Sequence, residues 1–515
     1  MDTSKKALQD GQAVHPSEDN TSDTQSETTG TTEAVDHLAR KLSSRQVQMM
    51  TIGGSIGTAL FVSIGTGLLQ AGPGSLLIAF LIYGTVFAAV INCMAEMSIY
   101  MPVSGGWIRL GTHWVDDALG FMMGWNFFLY QGLIIPFEIT ALNLVITFWS
   151  DNVPPVILIL IVFGFTFVTM VGGNPQRDAY GFRYWNDPGA FAEFVTTGSL
   201  GRFEGFLAGL WRAALIMCGP EYISILAGEV SNPRKILKTA YRTLYWRFGV
   251  FFVGSAIAVG IVIPYNDKTL VAILSGEASG SGTGAASPYV IAMQNMGISI
   301  LPHITNALLI TSIFSAGNSY VYCASRALYS LSLDGHAPKF LQKCTKAGVP
   351  IYCFGISMLF TLISLLSLGN SASVVISCFL GMCLVYLGFY RAMKAQGMKR
   401  DTLPYKGWWQ PFCAWYGLCG TTFVVCCYGY TTFLPRHWSV GTFFTYYTMV
   451  FICILLYGGW KLSKRTRMKD PSEVDIIWER PRIDAYEAAF AGRNVGFWQE
   501  CLELTGKRKR VETTV

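Results

Sequence analysis

Eleven apolar segments recur along this 515-residue chain, and their lengths restrict the fold more than any other feature. About 20 apolar residues in a helix cross the roughly 30 Å of hydrocarbon in a bilayer. Only 14% of the residues are charged, against about 25% in a typical soluble domain. The chain is therefore predicted to be an all-α, multi-pass integral membrane protein embedded in a lipid bilayer. The segments lie at 47–70, 74–99, 119–149, 156–171, 206–228, 244–264, 302–332, 350–368, 374–390, 414–434 and 440–460.

Basic residues are concentrated in alternate connections between these segments. By the positive-inside rule, such connections face the cytoplasm, which places both termini there as well. The basic connections precede the first segment and follow those ending at residues 99, 228, 332, 390 and 460. The connections near 71–73, 150–155, 369–373 and 435–439 carry almost no basic residues.

The charge pattern and the segments disagree at one place. Between the outside connection near Asp151 and the basic cluster at Arg234, the chain must cross the membrane an odd number of times, yet two segments lie there. Segment 156–171 has sixteen residues and would span only about 24 Å as a helix. Either it does not cross the membrane, or the chain lacks a helix around which its charges are arranged.

A glycine-rich run interrupts the first segment, Gly53-Gly54-Ser55-Ile56-Gly57-Thr58-Ala59-Leu60-Phe61. Hydrocarbon offers no hydrogen-bond partners, so a spanning helix normally satisfies its own backbone groups. Glycines let a helix unwind at low steric cost, and transporters place such broken helices at the bilayer midplane to bind anionic groups. Close helix packing is the alternative interpretation, because small residues also let backbones approach.

A second break is predicted at Met217-Cys218-Gly219-Pro220-Glu221-Tyr222. Pro220 removes a backbone donor and disturbs the preceding turn, and the freed carbonyls can receive an ammonium group. One broken helix that offers N–H groups and another that offers carbonyls and the Glu221 carboxylate form a complementary site for an α-amino acid. A charged residue inside a span marks a binding site or pathway by default.

Two further carboxylates lie in the apolar segments and have alternative interpretations. Glu96 ends the second segment and is either a proton-coupling residue or a residue of the cytoplasmic interface. Glu138 lies in the third segment and either contributes to the site or belongs to a local polar network. Gln131 and other polar residues in the spans usually bond between helices.

Several function classes are disfavoured. The basic residues form no continuous stripe, so nucleic-acid binding is not indicated. The thirteen cysteines contain no CxxC pair or Cys/His cluster, and no metal site or cofactor is expected. A membrane-embedded enzyme is disfavoured because the histidines are scattered.

The two ends of the chain are polar and are predicted to flank a transmembrane domain at 39–462. Residues 1–38 are expected to be a disordered cytoplasmic tail. Lys5 and Lys6 lie in this tail, where trafficking and ubiquitination machinery could bind. Residues 463–515 are predicted to form the second cytoplasmic tail, in which 495–506 could form an amphipathic helix on the membrane surface.

The motifs together resemble those of the fungal amino-acid permeases, the yeast amino-acid transporter family within the amino acid–polyamine–organocation superfamily. The resemblance extends from about Arg40 to Tyr486. Its stretches include Gly53–Phe61, Pro136-Phe137-Glu138-Ile139-Thr140-Ala141, Gly172-Gly173-Asn174-Pro175-Gln176, Gly219-Pro220-Glu221-Tyr222, Asn232-Pro233-Arg234-Lys235, Ser315-Ala316-Gly317-Asn318-Ser319 and Asp334-Gly335-His336-Ala337-Pro338.

The resemblance implies a LeuT-like fold of two inverted five-helix repeats plus two helices, and proton-coupled amino-acid uptake. Many relatives are acylated at a C-terminal Phe-Trp-Cys, which suggests acylation of Cys501 in Phe497-Trp498-Gln499-Glu500-Cys501. Thr58, Ala59 and Leu60 would offer N–H groups to the substrate carboxylate. The candidate substrate-binding residues are Gly54, Ser55, Ile56, Gly57, Thr58, Ala59, Leu60, Gln131, Phe137, Glu138, Met217, Gly219 and Glu221, and the proton-coupling candidates are Glu96, Glu138 and Glu221.

The chain departs from the family pattern in three places. Ala59 stands where the family usually has glycine, which crowds the carboxylate position. The family places its fourth helix and the start of its fifth between a similar double proline and Phe165-Thr166-Phe167. About one helix's worth of that sequence is absent after Pro154-Pro155, together with a fifth-helix lysine that relatives place near the first broken helix. The segment Ser373–Tyr390 is shorter than the family's tenth helix.

The sequence therefore predicts a plasma-membrane importer of amino acids, by proton symport. Neutral amino acids or proline are favoured as substrates, because no second acidic group is clearly placed for a cationic side chain. The alternative is a non-transporting amino-acid sensor or an inactive, truncated variant of such a permease.

Overall fold

The computed structural model describes residue 36 and residues 38–57, 59–146, 155–275, 287–360, 372–434 and 438–489. At residues 137, 139–146, 155–160 and 372–376 it describes the backbone alone. The predictions for the N-terminal tail up to residue 35, for Thr58, for the helix at 495–506 and for Cys501 therefore lie outside the described residues. The described part is helical, with two isolated β-bridges.

The first apolar segment is broken where its glycines predict a break. Helix α1 spans Ser44–Ile56 and begins with a capping box, in which Ser43 and Gln46 each accept from the other's backbone N–H. A short π-helical turn, Ala59–Ser63, leads into α2, Ile64–Tyr100. Within α2, Gly72 has φ of 74° and precedes Pro73, so the backbone turns there and separates the first two predicted crossings.

The remaining helices follow in chain order. They are α3 Trp107–Trp114, α4 Asp117–Ile146, α5 Pro155–Met170, α6 Gly198–Ile216, α7 Pro220–Leu226, α8 Pro233–Arg247, α9 Gly254–Val262, α10 Lys268–Ser275, α11 Pro288–Asn295, α12 Ile300–Leu333, α13 Ile351–Leu359, α14 Ala372–Ala395, α15 Phe412–Cys427, α16 Val440–Lys464 and α17 Arg480–Ala489. A π-helical stretch, Phe248–Val253, joins α8 to α9.

Seven stretches within the described residues are long and apolar enough to cross a membrane. The first of them, Ser44–Tyr100, contains both the break after α1 and the turn at Gly72. Ile161–Met170 and Phe412–Cys427 are shorter apolar helices. The chain is thus a multi-pass helical membrane protein, as its apolar segments predict.

Several predicted segments have different ends in the structure, and two of them are instructive. The segment predicted at 374–390 belongs to α14, whose 24 residues continue to Ala395 and have a length of about 36 Å. The helix predicted to begin at residue 244 starts at Pro233 instead. In both places a helix continues through charged residues, because its backbone bonds do not require an apolar side chain at every turn.

The helices next to the two breaks form the centre of the bundle. Helix α12 packs along α4 and α1, and α2 packs along α6. Helix α16 lies at the periphery, with only Met449 buried among its residues.

Residues 465–489 fold against the ends of the helices instead of extending away from them. Val474, Ile476 and Ile483 are buried in this segment. The Trp478 ring stacks on His113 with ring centroids 3.7 Å apart, and Arg234 pairs with Asp484 at 2.6 Å. The part of the predicted C-terminal tail nearest the bundle is therefore ordered.

Candidate functional site

The first half of the site is the end of α1. The helix stops at Ile56, and Gly57 has φ of 39° and ψ of −149°, a conformation that a side chain strongly disfavours. The Gly54 carbonyl, left without a helical partner near the helix end, accepts a hydrogen bond from the Tyr320 hydroxyl at 3.2 Å. The Ser55 hydroxyl donates to the Thr51 carbonyl at 2.6 Å. Backbone polar groups thus meet side chains of α12 at the break.

The second half is the junction between α6 and α7. Helix α6 ends at Ile216, and Gly219 has φ of 149°. Pro220 occupies the first turn of α7, where a missing N–H costs nothing because that donor has no helical partner. The Gly219 N–H instead donates to Oε2 of Glu221 at 2.9 Å.

The two breaks lie against each other. A Cβ atom placed on Gly219 would lie 3.0 Å from the Ser55 hydroxyl oxygen. The Cys218 sulfur lies 3.8 Å from the Gly54 carbonyl oxygen and 3.9 Å from that of Ser55. Carbonyls of the first break and the acidic residue of the second therefore belong to one region.

Helices α4, α7 and α12 surround this region. A Cβ atom on Gly57 would lie 3.0 Å from Oε1 of Glu138 and 3.4 Å from the Tyr320 hydroxyl. A Cβ atom on Gly54 would lie 3.1 Å from the Tyr222 ring. The close approach of these side chains explains why glycine occupies both positions.

Several buried polar atoms of the second break and of α4 have no hydrogen-bond partner among the described residues. They include Oε1 of Glu221 and both the oxygen and the nitrogen of the Gln131 amide. Gln131 is 0% exposed and Glu221 is 1% exposed. Buried polar groups in native proteins are normally bonded, and leaving one unbonded costs about 1–3 kcal/mol. Glu221 and Gln131 are therefore candidates for contact with a polar ligand.

The structure brings most of the predicted site residues together. Gly54, Ser55 and Ile56 form the last turn of α1, and Ala59 and Leu60 open the π-helical turn beyond Gly57. Met217, Gly219 and Glu221 form the second break, and Glu138 of α4 approaches Gly57. Gln131 lies in α4, two turns before Glu138, while Thr58 and the Phe137 side chain are outside the description.

Glu96 has a different set of contacts from the two breaks. Its carboxylate accepts from Arg400 at 2.6 Å and 3.0 Å, from the Gly407 N–H at 2.7 Å and from the Tyr386 hydroxyl at 2.9 Å. Four donors saturate this buried carboxylate, which favours the structural alternative for Glu96. Its role in proton coupling remains a prediction.

Three tyrosines and one cysteine at the site are absent from the sequence-predicted set. Tyr320 lies within electrostatic range of Glu138, Cys218, Tyr130 and Glu221, and its ring centroid is 6.3 Å from that of Tyr222. Tyr222 and Cys218 could have been predicted from the sequence, since both belong to the second motif, which contains Glu221. Tyr130 adjoins the predicted site residue Gln131 and Tyr320 follows the motif that ends at Ser319, but an aromatic residue in an apolar helix is usually a packing residue.

The segments flanking the two breaks are also joined at one end of the bundle. The Leu42 N–H donates to the Glu229 carbonyl at 2.8 Å, and the Ser231 N–H donates to the Leu42 carbonyl at 3.1 Å. Arg326 pairs with Glu229 at 2.8 Å. The start of α1 and the end of the α6–α7 unit are therefore held together at this end.

Membrane-crossing helices, of which two are broken beside each other and beside buried carboxylates, are typical of secondary transporters. A family model described as amino acid permease matches residues 46–163 and 153–472. The chain belongs to this amino acid permease family, which is a family of transporters and not of enzymes.

Curated relatives agree with this assignment. The chain is similar to the general amino acid permease AGP2 of Saccharomyces cerevisiae, with 40% identity over 87% of this chain and 83% of the relative. It is also similar to a proline-specific permease of the same yeast, with 33% identity over 85% and 78% of the two chains. A proline-specific permease of Emericella nidulans is 34% identical over 88% and 90%. The predicted resemblance to fungal amino-acid permeases is confirmed.

Proposed function

We propose that this protein imports amino acids across the plasma membrane by proton symport, with its substrate site at the two helix breaks. The observation that supports this most directly is the position of Glu221, a buried carboxylate beside the backbone of both breaks. Membership of the permease family and the permease names of the relatives support the transport of amino acids.

The backbone at the first break would bind the two charged ends of an α-amino acid. Ala59 and Leu60 begin a π-helical turn, where the helix dipole favours a carboxylate. Their N–H groups, together with that of Thr58, would bind the substrate carboxylate. The carbonyls of Gly54 and Ser55, together with those of residues 217–219, would receive the ammonium group. Backbone groups are shared by all amino acids, so this part of the site would not distinguish between side chains.

Selection between substrates would come from side chains of α4. Gln131, Phe137 and Glu138 are the candidates, and the Gln131 amide has both polar atoms available. The relatives named above are a general permease and two proline-specific permeases. We propose neutral amino acids or proline as substrates.

A buried carboxylate provides a physical basis for coupling to protons. Burying an isolated charge is costly, so a carboxylate such as Glu221 is stabilised either by a proton or by a neighbouring cation. The substrate ammonium is such a cation, so that protonation and substrate binding become linked at one group. Glu138 and Glu96 are the other proposed proton-coupling residues.

We further propose that the fold is the LeuT-like inverted repeat with about one helix fewer than usual. Helix α5 has 16 residues, about 24 Å, and lies where the charge pattern requires an odd number of crossings. The family model matches in two pieces that meet at 153–163. The alignment to the general permease is 501 positions long but includes only 87% of this 515-residue chain. The alignment therefore contains gaps in this chain, where the relative has additional residues.

The proposed location is the plasma membrane, with both termini in the cytoplasm. The basic connections between the segments support this orientation. Residues 1–38 would then be accessible to trafficking and ubiquitination machinery, with Lys5 and Lys6 as acceptors. Residues 39–462 would form the permease domain and 463–515 the second cytoplasmic tail.

Uptake of a panel of labelled amino acids tests the proposal. The chain is expressed in fungal cells that lack their own permeases, and uptake is measured at acidic and neutral external pH with surface expression determined in parallel. Accumulation that increases at acidic pH is expected. Surface expression with substrate binding but no uptake would instead indicate a sensor, and retention inside the cell would indicate a folding defect.

A further inference from the structure

A large groove lies at the periphery of the bundle, away from the two breaks. It has a volume of 720 Å³ and is bounded by the start of α4, by α14, by α15 and by α16. Leu119, Leu384, Leu418 and Ile454 are among the apolar side chains that line it. The groove is therefore a candidate site for an apolar chain.

The groove faces the bilayer. Ile454 of α16 is 62% exposed and Trp415 of α15 is 48% exposed. Both residues belong to apolar helices, so their exposed surfaces lie against lipid. Because α16 contributes almost no buried residues of its own, a bound acyl chain would supply packing that protein side chains do not.

One end of the groove is charged. The acidic residue there is Asp116, which accepts from Lys461 at 2.7 Å and from the Tyr457 hydroxyl at 3.1 Å. Its negative charge is thus already neutralised within the protein.

Two further cations line the same groove. Arg391 is exposed and makes no hydrogen bond or ion pair with another described residue. Lys469 donates only to a neutral group, the His113 carbonyl, at 3.0 Å. The acidic residues that act on Lys469 are Asp116, Asp117, Asp334 and Asp475. Each of them has its own partner. Asp116 pairs with Lys461, Asp117 with His336 and Asp334 with Arg109, and Asp475 accepts from the Ile477 N–H.

We propose that this groove binds one anionic phospholipid. One acyl chain of the lipid lies between α14, α15 and α16, and the phosphate of the lipid contacts Arg391 and Lys469. A basic pocket between membrane helices is suited to an anionic headgroup, and the charged end is the end proposed to face the cytoplasm, where anionic lipids are concentrated. A sterol would satisfy the apolar wall but would leave both cations without an anionic partner.

Binding at this position would link two peripheral parts of the protein. Cys453 and Tyr457 of α16 line one wall, and Met468, Lys469 and Pro471 line the adjacent one. The latter begin the segment that packs across the helix ends. The lipid would therefore hold α16 and the beginning of this segment against α14.

The test compares the full-length protein with two double variants of equal charge change. R391Q/K469Q removes both proposed phosphate ligands. K394Q/R467Q removes one exposed cation from α14 and one from the segment after α16, and neither residue lines the groove. Each protein is purified in mild detergent, and the phospholipids that remain bound are identified and quantified by mass spectrometry.

Anionic phospholipid should remain bound to the unaltered protein and to K394Q/R467Q, and its retention should fall on the order of tenfold in R391Q/K469Q. Phosphatidylserine vesicles should raise the thermal midpoint of the first two proteins more than phosphatidylcholine vesicles do. Equal retention by all three proteins, retention of only zwitterionic lipid or sterol, dimerisation through this face, or the same stabilisation by free inorganic phosphate would each overturn the proposal.

Discussion

The Gly219 N–H donates to Oε2 of Glu221 at 2.9 Å, so the acidic side chain bonds back to the break that positions it. Oε1 of the same carboxylate has no hydrogen-bond partner among the described residues. One oxygen is therefore fixed while the other remains able to bind a proton or an ammonium group. In the proposed mechanism, substrate binding and proton coupling would therefore use the same structural unit.

Replacement of Glu221 by glutamine tests the coupling role. The amide oxygen still accepts from Gly219, but the side chain can no longer ionise. We expect uptake to fall at least tenfold and to lose its dependence on external pH. Initial uptake rates at two pH values, normalised to surface expression, measure this.

Glu193→Gln is a suitable control because it makes the same chemical change at an exposed loop position. The Glu193 carboxylate lies 3.8 Å from Arg202, whose side chain is also exposed. This variant should behave like the unaltered protein. Unchanged uptake with unchanged pH dependence in Glu221→Gln would exclude the proposed role.

Gly57→Ala tests the geometry of the first break. A side chain at φ of 39° is strained by about 1–3 kcal/mol, and the new Cβ would lie 3.0 Å from the Glu138 carboxylate. We expect a lower thermal midpoint and a large loss of uptake. Gly317→Ala is the matched control, since a Cβ there meets no atom within 4 Å and alanine favours a helix by up to about 1 kcal/mol. Equal effects of both changes would contradict the interpretation.

Arg400→Gln tests whether Glu96 is a structural residue. The change leaves a buried carboxylate with neutral donors only, at an expected cost of about 3 kcal/mol. The amount of monodisperse protein and its thermal midpoint should both decrease, whereas Lys399→Gln, at an exposed neighbouring position, should change neither.

The double variant Glu96→Gln/Arg400→Gln should recover part of this loss, because no charge is then buried alone. A Glu96→Gln protein that folds normally but loses the pH dependence of uptake would instead support proton coupling by Glu96.

Asp334 should make stability dependent on acidic pH. Burial by itself would raise the pKa of this carboxyl. The charge of Arg109, 2.8 Å away, and the contact with His113 together outweigh burial and lower the pKa to about 2. A pKa below the ordinary value of 3.8 means that the folded state is favoured by the ionised form. The stabilisation is complete above about pH 4 and is lost as the pH falls towards 2.

Asp334→Asn should therefore reduce stability at neutral pH by about 2 kcal/mol and make the thermal midpoint less sensitive between pH 4 and pH 2. Thermal unfolding in detergent over this pH range measures the difference. Asp401→Asn, at an exposed position, is the control. An unchanged pH profile in Asp334→Asn would refute the assignment.

Trp478→Ala should loosen residues 465–489. The ring stacks on His113 and lies 4.8 Å from the Arg109 guanidinium, and these contacts contribute about 1 kcal/mol each. Hydrogen exchange of the backbone at 474–489 should become several times faster. Ile477→Ala, at an adjacent residue that is 53% exposed, should have little effect. Similar exchange rates in both variants would show that Trp478 does not hold the segment.

Both helix breaks could be predicted because their causes are local. Gly57 adopts a conformation that disfavours a side chain, and Gly219-Pro220 combines a positive φ with a missing donor. The ends of α14 were less predictable. Apolar character stops near Tyr390, but the backbone bonds of the helix continue to Ala395.

The aromatic side chains of the site required the three-dimensional structure. Tyr130 and Tyr320 lie in α4 and α12, nearly 200 positions apart in the sequence, and their positions at the breaks follow from the packing of those helices. No spacing rule connects them. Their surroundings in the sequence do not differ from those of tyrosines that serve only to pack helices.

The sequence by itself determined that this chain crosses a membrane, where its first and fifth apolar segments break, and to which family it belongs. Hydrocarbon length, glycine and proline geometry and motif order can all be read locally from the sequence. Tertiary structure decided which carboxylates share a site. Glu138 and Glu221 approach the breaks, while Glu96 is bonded to Arg400, a residue more than 300 positions away. Such partners depend on how helices pack, and hydropathy does not encode that arrangement.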